Sequence, residues 1–126
     1  MFASIRFMSS IPENCAGLKP ERLARVLERI EHGLHEPLQI AHLAEAACLS
    51  PFHFARMFKH TTGKSPHAYV TEKRIALARE LLSNTNLPIS EVSRRAGYRT
   101  QAHFTGVFRQ HVGVTPRRFR EGARPE

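Results

Sequence analysis

"HFARMFKHTTGKSPHAY", residues 53 to 69, and "HFTGVFRQHVGVTPRRF", residues 103 to 119, spell one pattern twice. At an offset of 50, His53 pairs with His103, Phe54 with Phe104, Phe58 with Phe108 and Lys59 with Arg109. Gly63 pairs with Gly113, Pro66 with Pro116 and Tyr69 with Phe119. Upstream, "LAEAACL" from residue 43 aligns with "VSRRAGY" from residue 92 at an offset of 49, so the second copy has one extra residue in its turn. A repeat of this kind marks a duplicated supersecondary unit rather than a generic helical bundle with accidental similarity.

The punctuation inside each copy has physical reasons. Ser50-Pro51 places a hydroxyl N-cap before a proline at the first helical position, where a missing N–H costs nothing, and Thr100 takes the cap position in the second copy. Ser65-Pro66 and Thr115-Pro116 repeat the cap one helix later. Gly63 and Gly113 precede those caps by two residues, as expected of glycines that close a helix with positive φ. Each copy therefore predicts a short helix, a tight turn and a longer helix, with Leu43, Ala47 and Leu49 facing Phe54 and Phe58 in the first. Val92, Ala96, Tyr98, Phe104 and Phe108 take those roles in the second, where Gly97 ends the short helix. The pattern also puts Cys48 inside an apolar helical stretch, as a small core residue.

Outside the repeat, Leu23, Val26, Leu27 and Ile30 form an i, i+3, i+4, i+7 stripe on a first helix that ends near Gly33. Between the copies, "SPHAYVTEKRIALARELLSNT" carries two apolar stripes, Val70, Leu77, Leu81 and Ile75, Ala78, Leu82, so a linker helix packs on both neighbours. No segment shows sustained period-two alternation. The expected fold is all-α, with about seven helices: two helix-turn-helix subdomains, at about 39–63 and 89–113, joined by a linker helix at about 66–84 and followed by a final helix at about 116–121. Residues 1–19 read as a flexible arm and 122–126 as a tail.

Composition narrows the partner. Among 126 residues, 19 are Lys or Arg and 11 are acidic, all of them Glu, for a net charge of +8. Residues 1–63 hold 7 basic and 6 acidic groups, whereas residues 64–126 hold 12 and 5. A basic excess concentrated in one half points to a polyanion. Two cysteines, Cys15 and Cys48, make no disulfide framework and suit a reducing compartment. No apolar run is long enough for a signal-peptide core or a membrane span, so the expected location is cytoplasmic, with no membrane partner.

The helical wheel selects the side chains that face a partner. With Phe54, Met57 and Phe58 inward, Phe52, Ala55, Arg56 and Lys59 point outward at about 100° per residue, and His53 and His60 flank them. Arg56 is the strongest base-reading candidate, because a guanidinium bonds bidentately to guanine O6 and N7. Lys59 is better placed for phosphate. Phe52 either joins the reading surface, over a thymine methyl or sugar edge, or packs elsewhere on its own chain. In the second copy the outward set is Ala102, Thr105, Gly106 and Arg109, with Gln101 and His103 toward the helix start. Gln101 suits adenine, and Thr105 a thymine methyl or a phosphate. Gly106 either lets the backbone approach a duplex or is simply tolerated, at about 1 kcal/mol of helix propensity. The first copy should supply most of the sequence preference, and the basic second half more of the affinity. His53 and His103 suit structural or phosphate contacts, and His32 with His35 a solvated face rather than a metal site.

Residues 20 to 121 resemble the DNA-binding domain of the AraC/XylS family of bacterial transcription regulators. The second copy carries the specific features: a Gly-aromatic pair at Gly97-Tyr98, His-Phe at 103–104, Phe-Arg at 108–109 and Gly-x-Thr-Pro-x-x-Phe-Arg from Gly113 to Arg120. The chain is similar to the small single-domain members that activate multidrug and oxidative-stress responses, or to a fragment of a larger member. The resemblance implies an activator that contacts RNA polymerase at a promoter; the expected partner is double-stranded DNA in the nucleoid, bound by a monomer. A linker of roughly 18 residues is about 27 Å long, and with the offset of each reading helix from the linker ends added, the two helices can reach adjacent major grooves, about 34–36 Å apart, on an asymmetric site.

Other functional classes fare worse. No phosphate-binding glycine loop, paired catalytic carboxylates or Cys–His arrangement occurs, so no enzyme, cofactor or metal is expected. A non-specific architectural binder shares the charge but does not need two recognition helices with different faces. A helical protein-interaction module is the remaining alternative, in which Phe52 would be an interface anchor.

Overall fold

A computed structural model describes residues 18–123, and they form seven helices and no strand. The helices are α1 (Pro20–His32), α2 (Ile40–Ala46), α3 (Pro51–Thr62), α4 (Pro66–Asn84), α5 (Ile89–Arg95), α6 (Gln101–Val112) and α7 (Pro116–Ala123). Most of the segment read as an arm, with Cys15, lies in residues 1–17, outside the described residues. Leu18, counted with that arm, is instead buried, and its N–H donates to Thr61 Oγ1 at 2.7 Å. At the other end α7 continues to Ala123, two residues into the segment read as a tail, whose last three lie outside the described residues.

The chain divides into two compact units. One takes in the chain up to His32 together with Leu38–Val70; the other takes in Gly33–Pro37 and the chain from Thr71 onward. In the first unit Val26, Ile30, Leu43, Ala47, Phe54 and Phe58 are almost wholly buried. The Phe54 and Phe58 rings lie 5.5 Å apart, and Tyr69 meets Phe58 edge-on at 5.4 Å. The second unit repeats this arrangement around Ile75, Ala78, Leu82, Val92, Ala96, Tyr98, Phe104 and Phe108. There Phe104 lies 5.6 Å from Phe108, and Phe119 meets Phe108 edge-on at 5.5 Å. The aromatic residues paired by the repeat, Phe54 with Phe104, Phe58 with Phe108 and Tyr69 with Phe119, thus occupy matching places in two cores.

The short helices depend on this packing. A seven-residue helix is marginal by itself, and neither α2 nor α5 has a side-chain N-cap. Each ends in a pair of return bonds. Leu49 N–H donates to Ala44 O at 2.9 Å and Cys48 N–H to Glu45 O at 3.0 Å; Tyr98 N–H donates to Ser93 O at 3.1 Å and Gly97 N–H to Arg94 O at 3.0 Å. Such a closure needs a left-handed residue at its corner. Gly97 supplies it with φ 95°, and Cys48 with φ 61°. Cys48 is therefore not the core residue that its apolar neighbours suggest: α2 stops at Ala46, and the thiol-bearing residue is exposed in the turn.

Candidate nucleic-acid interface

Every longer helix of the repeat begins on a hydroxyl cap. Ser50 accepts from His53 N–H at 3.3 Å and Thr100 from His103 N–H at 3.1 Å. Ser65 accepts from Ala68 N–H and Thr115 from Arg118 N–H. At the far ends Gly63 and Gly113 stand in the left-handed region, at φ 83° and 97°, and donate to Lys59 O and Arg109 O. Caps and glycines fix where α3 and α6 start and stop, and the apolar stripe fixes which face of each is buried.

On α3, burial of Phe54, Met57 and Phe58 leaves the opposite face to solvent. Phe52 is 71% exposed there, and the Arg56 guanidinium lies over its ring at 5.6 Å from the centroid. Lys59, His53 and His60 are also exposed, while Ala55 is half-buried. Phe52 does not pack into a core.

On α6, Phe104 and Phe108 are wholly buried, and Gln101, Ala102, His103, Gly106 and Arg109 are exposed. Thr105 is half-buried. The His103 ring meets Tyr98 edge-on at 5.3 Å, which gives this histidine a packing partner as well as solvent. A Cβ added at Gly106 would meet nothing within 4 Å, so no neighbour in the chain demands glycine there. Gln101 borders a groove of the second unit that is also lined by Pro88, Ile89, Ser90 and Arg117.

The electrostatics of the second unit hold two arrangements that composition alone hides. In the first turn of α5, Glu91 accepts from both Arg94 and Arg95 of the last turn, and these bonds hold its carboxyl down at about 2. The ion pairing raises Arg94 correspondingly. Arg94, Arg95 and Arg99 stand exposed around the turn before α6. The signal is present in "SEVSRRAGYR", where Glu precedes two arginines at the i+3 and i+4 spacings of helical ion pairs. The other arrangement centres on Arg74, which donates to Leu34 O at 3.1 Å and Glu36 O at 2.7 Å and lies over the Tyr98 ring at 5.7 Å. Burial pushes the Arg74 guanidinium below its ordinary value and the Tyr98 phenol above its own. Arg74 is 40 residues from Leu34 in sequence, and no local pattern announces that bond.

Among the described residues no group of three or more His, Cys or Glu side chains could hold a metal ion. His32 and His35 do not converge: His32 Nδ1 lies 3.0 Å from Glu28 O, while His35 Nε2 lies 3.6 Å from Glu36 Oε2. No described helix is long and apolar enough to cross a membrane.

Two helix-turn-helix units, each presenting a capped and solvent-facing second helix, define a class of fold, and comparison with known proteins gives the family. Residues 43–122 match a helix-turn-helix domain family. The probable transcriptional regulator LumQ of Photobacterium leiognathi is 36% identical over 103 residues, covering 80% of this chain and 42% of that protein. The arabinose operon regulatory protein of Escherichia coli K12 is 32% identical over 119 residues, covering 94% and 41%. This chain thus spans about two fifths of the length of these relatives. Among solved structures, the C-terminal domain of AraT, a response regulator from Geobacillus stearothermophilus, superposes with a TM-score of 0.80 at 33% identity, covering 86% of this chain and 90% of that one. The DNA-binding domain of AdpA, solved in complex with a target DNA, gives 0.75 at 32% identity, covering 80% and 91%. The chain belongs to the AraC-type family of helix-turn-helix, DNA-binding transcription regulators.

Proposed function

We infer that this protein is a sequence-specific activator that binds promoter DNA as a monomer, sets α3 and α6 into successive major grooves and contacts RNA polymerase from there. The observation that carries the reading is the exposed row Phe52, Arg56 and Lys59 on a helix whose other face is sealed by Phe54, Met57 and Phe58. A helix anchored in this way offers its outward side chains to base edges without disturbing its own core.

The roles follow from side-chain chemistry. Arg56 reads guanine through its planar fork of donors. Lys59 and Arg109, one turn further along their helices, neutralise phosphates and contribute affinity without sequence information. His53 and His103, at the third position of each helix, are suited to the sugar-phosphate backbone. On α6, Gln101 reaches adenine, whereas Ala102, Thr105 and Gly106 offer only short contacts, and Ala55 leaves α3 room beside Arg56. A cytoplasmic, nucleoid-associated location goes with this partner. AdpA's DNA-binding domain, solved in complex with a target DNA, supports DNA as the ligand.

Selection of bound sequences from a random pool of duplexes tests the proposal. The expected result is one asymmetric site with two unlike blocks, their centres about 10 base pairs apart. Equal competition by unrelated duplex at fixed salt would reduce the protein to a charge-driven binder. Substituting Arg56→Ala should change base preference more than Arg109→Ala does, and the reverse result exchanges the roles of the two helices. Transcription from a promoter bearing the selected site, with purified polymerase, reads the sign of regulation.

A further inference from the structure

We propose that Phe52 is a positioning residue for DNA reading: its exposed ring holds the Arg56 guanidinium as a preassembled pair that selects guanine, and α6, with Ala102 and Gly106 in the matching places, lacks the pair and meets a half-site of relaxed sequence. This rests on the function proposed above and adds to it how discrimination is divided between the two helices.

Three observations converge. First, Phe52 contributes little to the core, since it is 71% exposed, so its ring needs another reason to stand on the outer face. Second, that ring lies under the Arg56 guanidinium at 5.6 Å, the geometry of a cation–π contact between residues four apart on one helix. A cation–π contact engages the guanidinium's charge without using up a hydrogen-bond acceptor, and the N–H donors remain for a bidentate contact with guanine. A long side chain held before binding also has less freedom to lose on binding. Third, the repeat register of 50 residues sets Phe52 against Ala102 and Arg56 against Gly106. Both partners are missing from α6 together. The gap there is open, because a Cβ at Gly106 would meet nothing within 4 Å and Ala102 is exposed. No packing constraint in the chain excludes larger side chains from those two positions.

The test is a parallel selection from a pool of random-sequence 30-base-pair duplexes at fixed salt, with the full chain and its variants. Phe52→Leu is expected to lower the preference for guanine in the α3 half-site roughly two- to five-fold, the size of an exposed cation–π contact, with the melting temperature unchanged. Phe52→Trp keeps the preference. In an Arg56→Ala background, Phe52→Leu has no further effect at that guanine, because the ring acts through the guanidinium. The double variant Ala102→Phe/Gly106→Arg acquires a new guanine preference in the second half-site. If Phe52→Leu keeps the guanine preference, the positioning role fails; if its only loss is at a neighbouring thymine, Phe52 touches DNA on its own account and the positioning role fails as well. If the double variant gains no preference, the account of α6 fails. If the native chain enriches no sequence at all, the function proposed above falls, and this inference with it.

Discussion

Cys48 and Gly97 hold the same corner in the two copies, and the two corners make different demands. Both close a short helix through the same pair of return bonds, and both take a left-handed backbone conformation. At Gly97 a Cβ would come 2.0 Å from Leu34 O and 2.8 Å from Arg74 Nε, so the loop at 33–37 and the guanidinium that binds it leave no room for a side chain. Cys48 is exposed in its own unit, and its side chain fits. A repeat can therefore keep a conformation without keeping the reason for glycine. The same divergence runs through the rest of the units: Arg56 corresponds to Gly106, and the Glu91–Arg94–Arg95 cluster of α5 corresponds to His42, Glu45 and Ala46 on α2.

Gly97→Ala should separate the two corners most strongly. Left-handed strain plus collision with Leu34 O should cost about 3 kcal/mol or more, measured as a shift in the urea midpoint of the DNA-free protein. A loss below about 1 kcal/mol would mean that the 33–37 loop yields and the two corners are equivalent. Cys48→Gly should act in the opposite direction and stabilise the first unit by about 0.5–1 kcal/mol, since relief of the left-handed penalty exceeds the entropy added to the unfolded chain. Destabilisation would show that the cysteine side chain has a favourable contact in the turn.

Gly106→Ala probes the reading faces. Helix propensity predicts a gain of about 1 kcal/mol in stability, with affinity for random-sequence duplex unchanged within about two-fold. A clear fall in affinity would place the α6 backbone, rather than its missing side chain, against the duplex. The smallest effect belongs to α5. Glu91 titrates at about 2 in the folded chain against an ordinary value of 4.5, so its contribution to stability is complete above 4.5 and is lost as pH falls toward 2. The stability difference between the native chain and Glu91→Gln should shrink across that window. A difference independent of pH would detach the cluster from stability altogether.

Much of this architecture is legible in the amino-acid sequence. The four hydroxyl caps, the closing glycines and the inward phenylalanines are local signals, because a cap bonds within three residues and an apolar stripe repeats every three or four. The outward position of Phe52 follows by subtraction, once Phe54, Met57 and Phe58 fill the inner face. Apolar composition misplaces Cys48 in the core, whereas the repeat register sets it opposite Gly97 and so marks it as a corner residue.

The helices, the duplication, the family and the faces turned outward are all properties of the sequence, since they depend on spacings within a turn or two of chain or on matching one copy to the other. Only the folded chain decides that Arg74 binds the carbonyls of Leu34 and Glu36, that this loop forbids a side chain at Gly97, and that Arg56 rests on the Phe52 ring. The first two join residues far apart in sequence, and the third is a choice among side-chain rotamers. None of the three is encoded in a local pattern, because each is settled by what folding brings within a few ångströms.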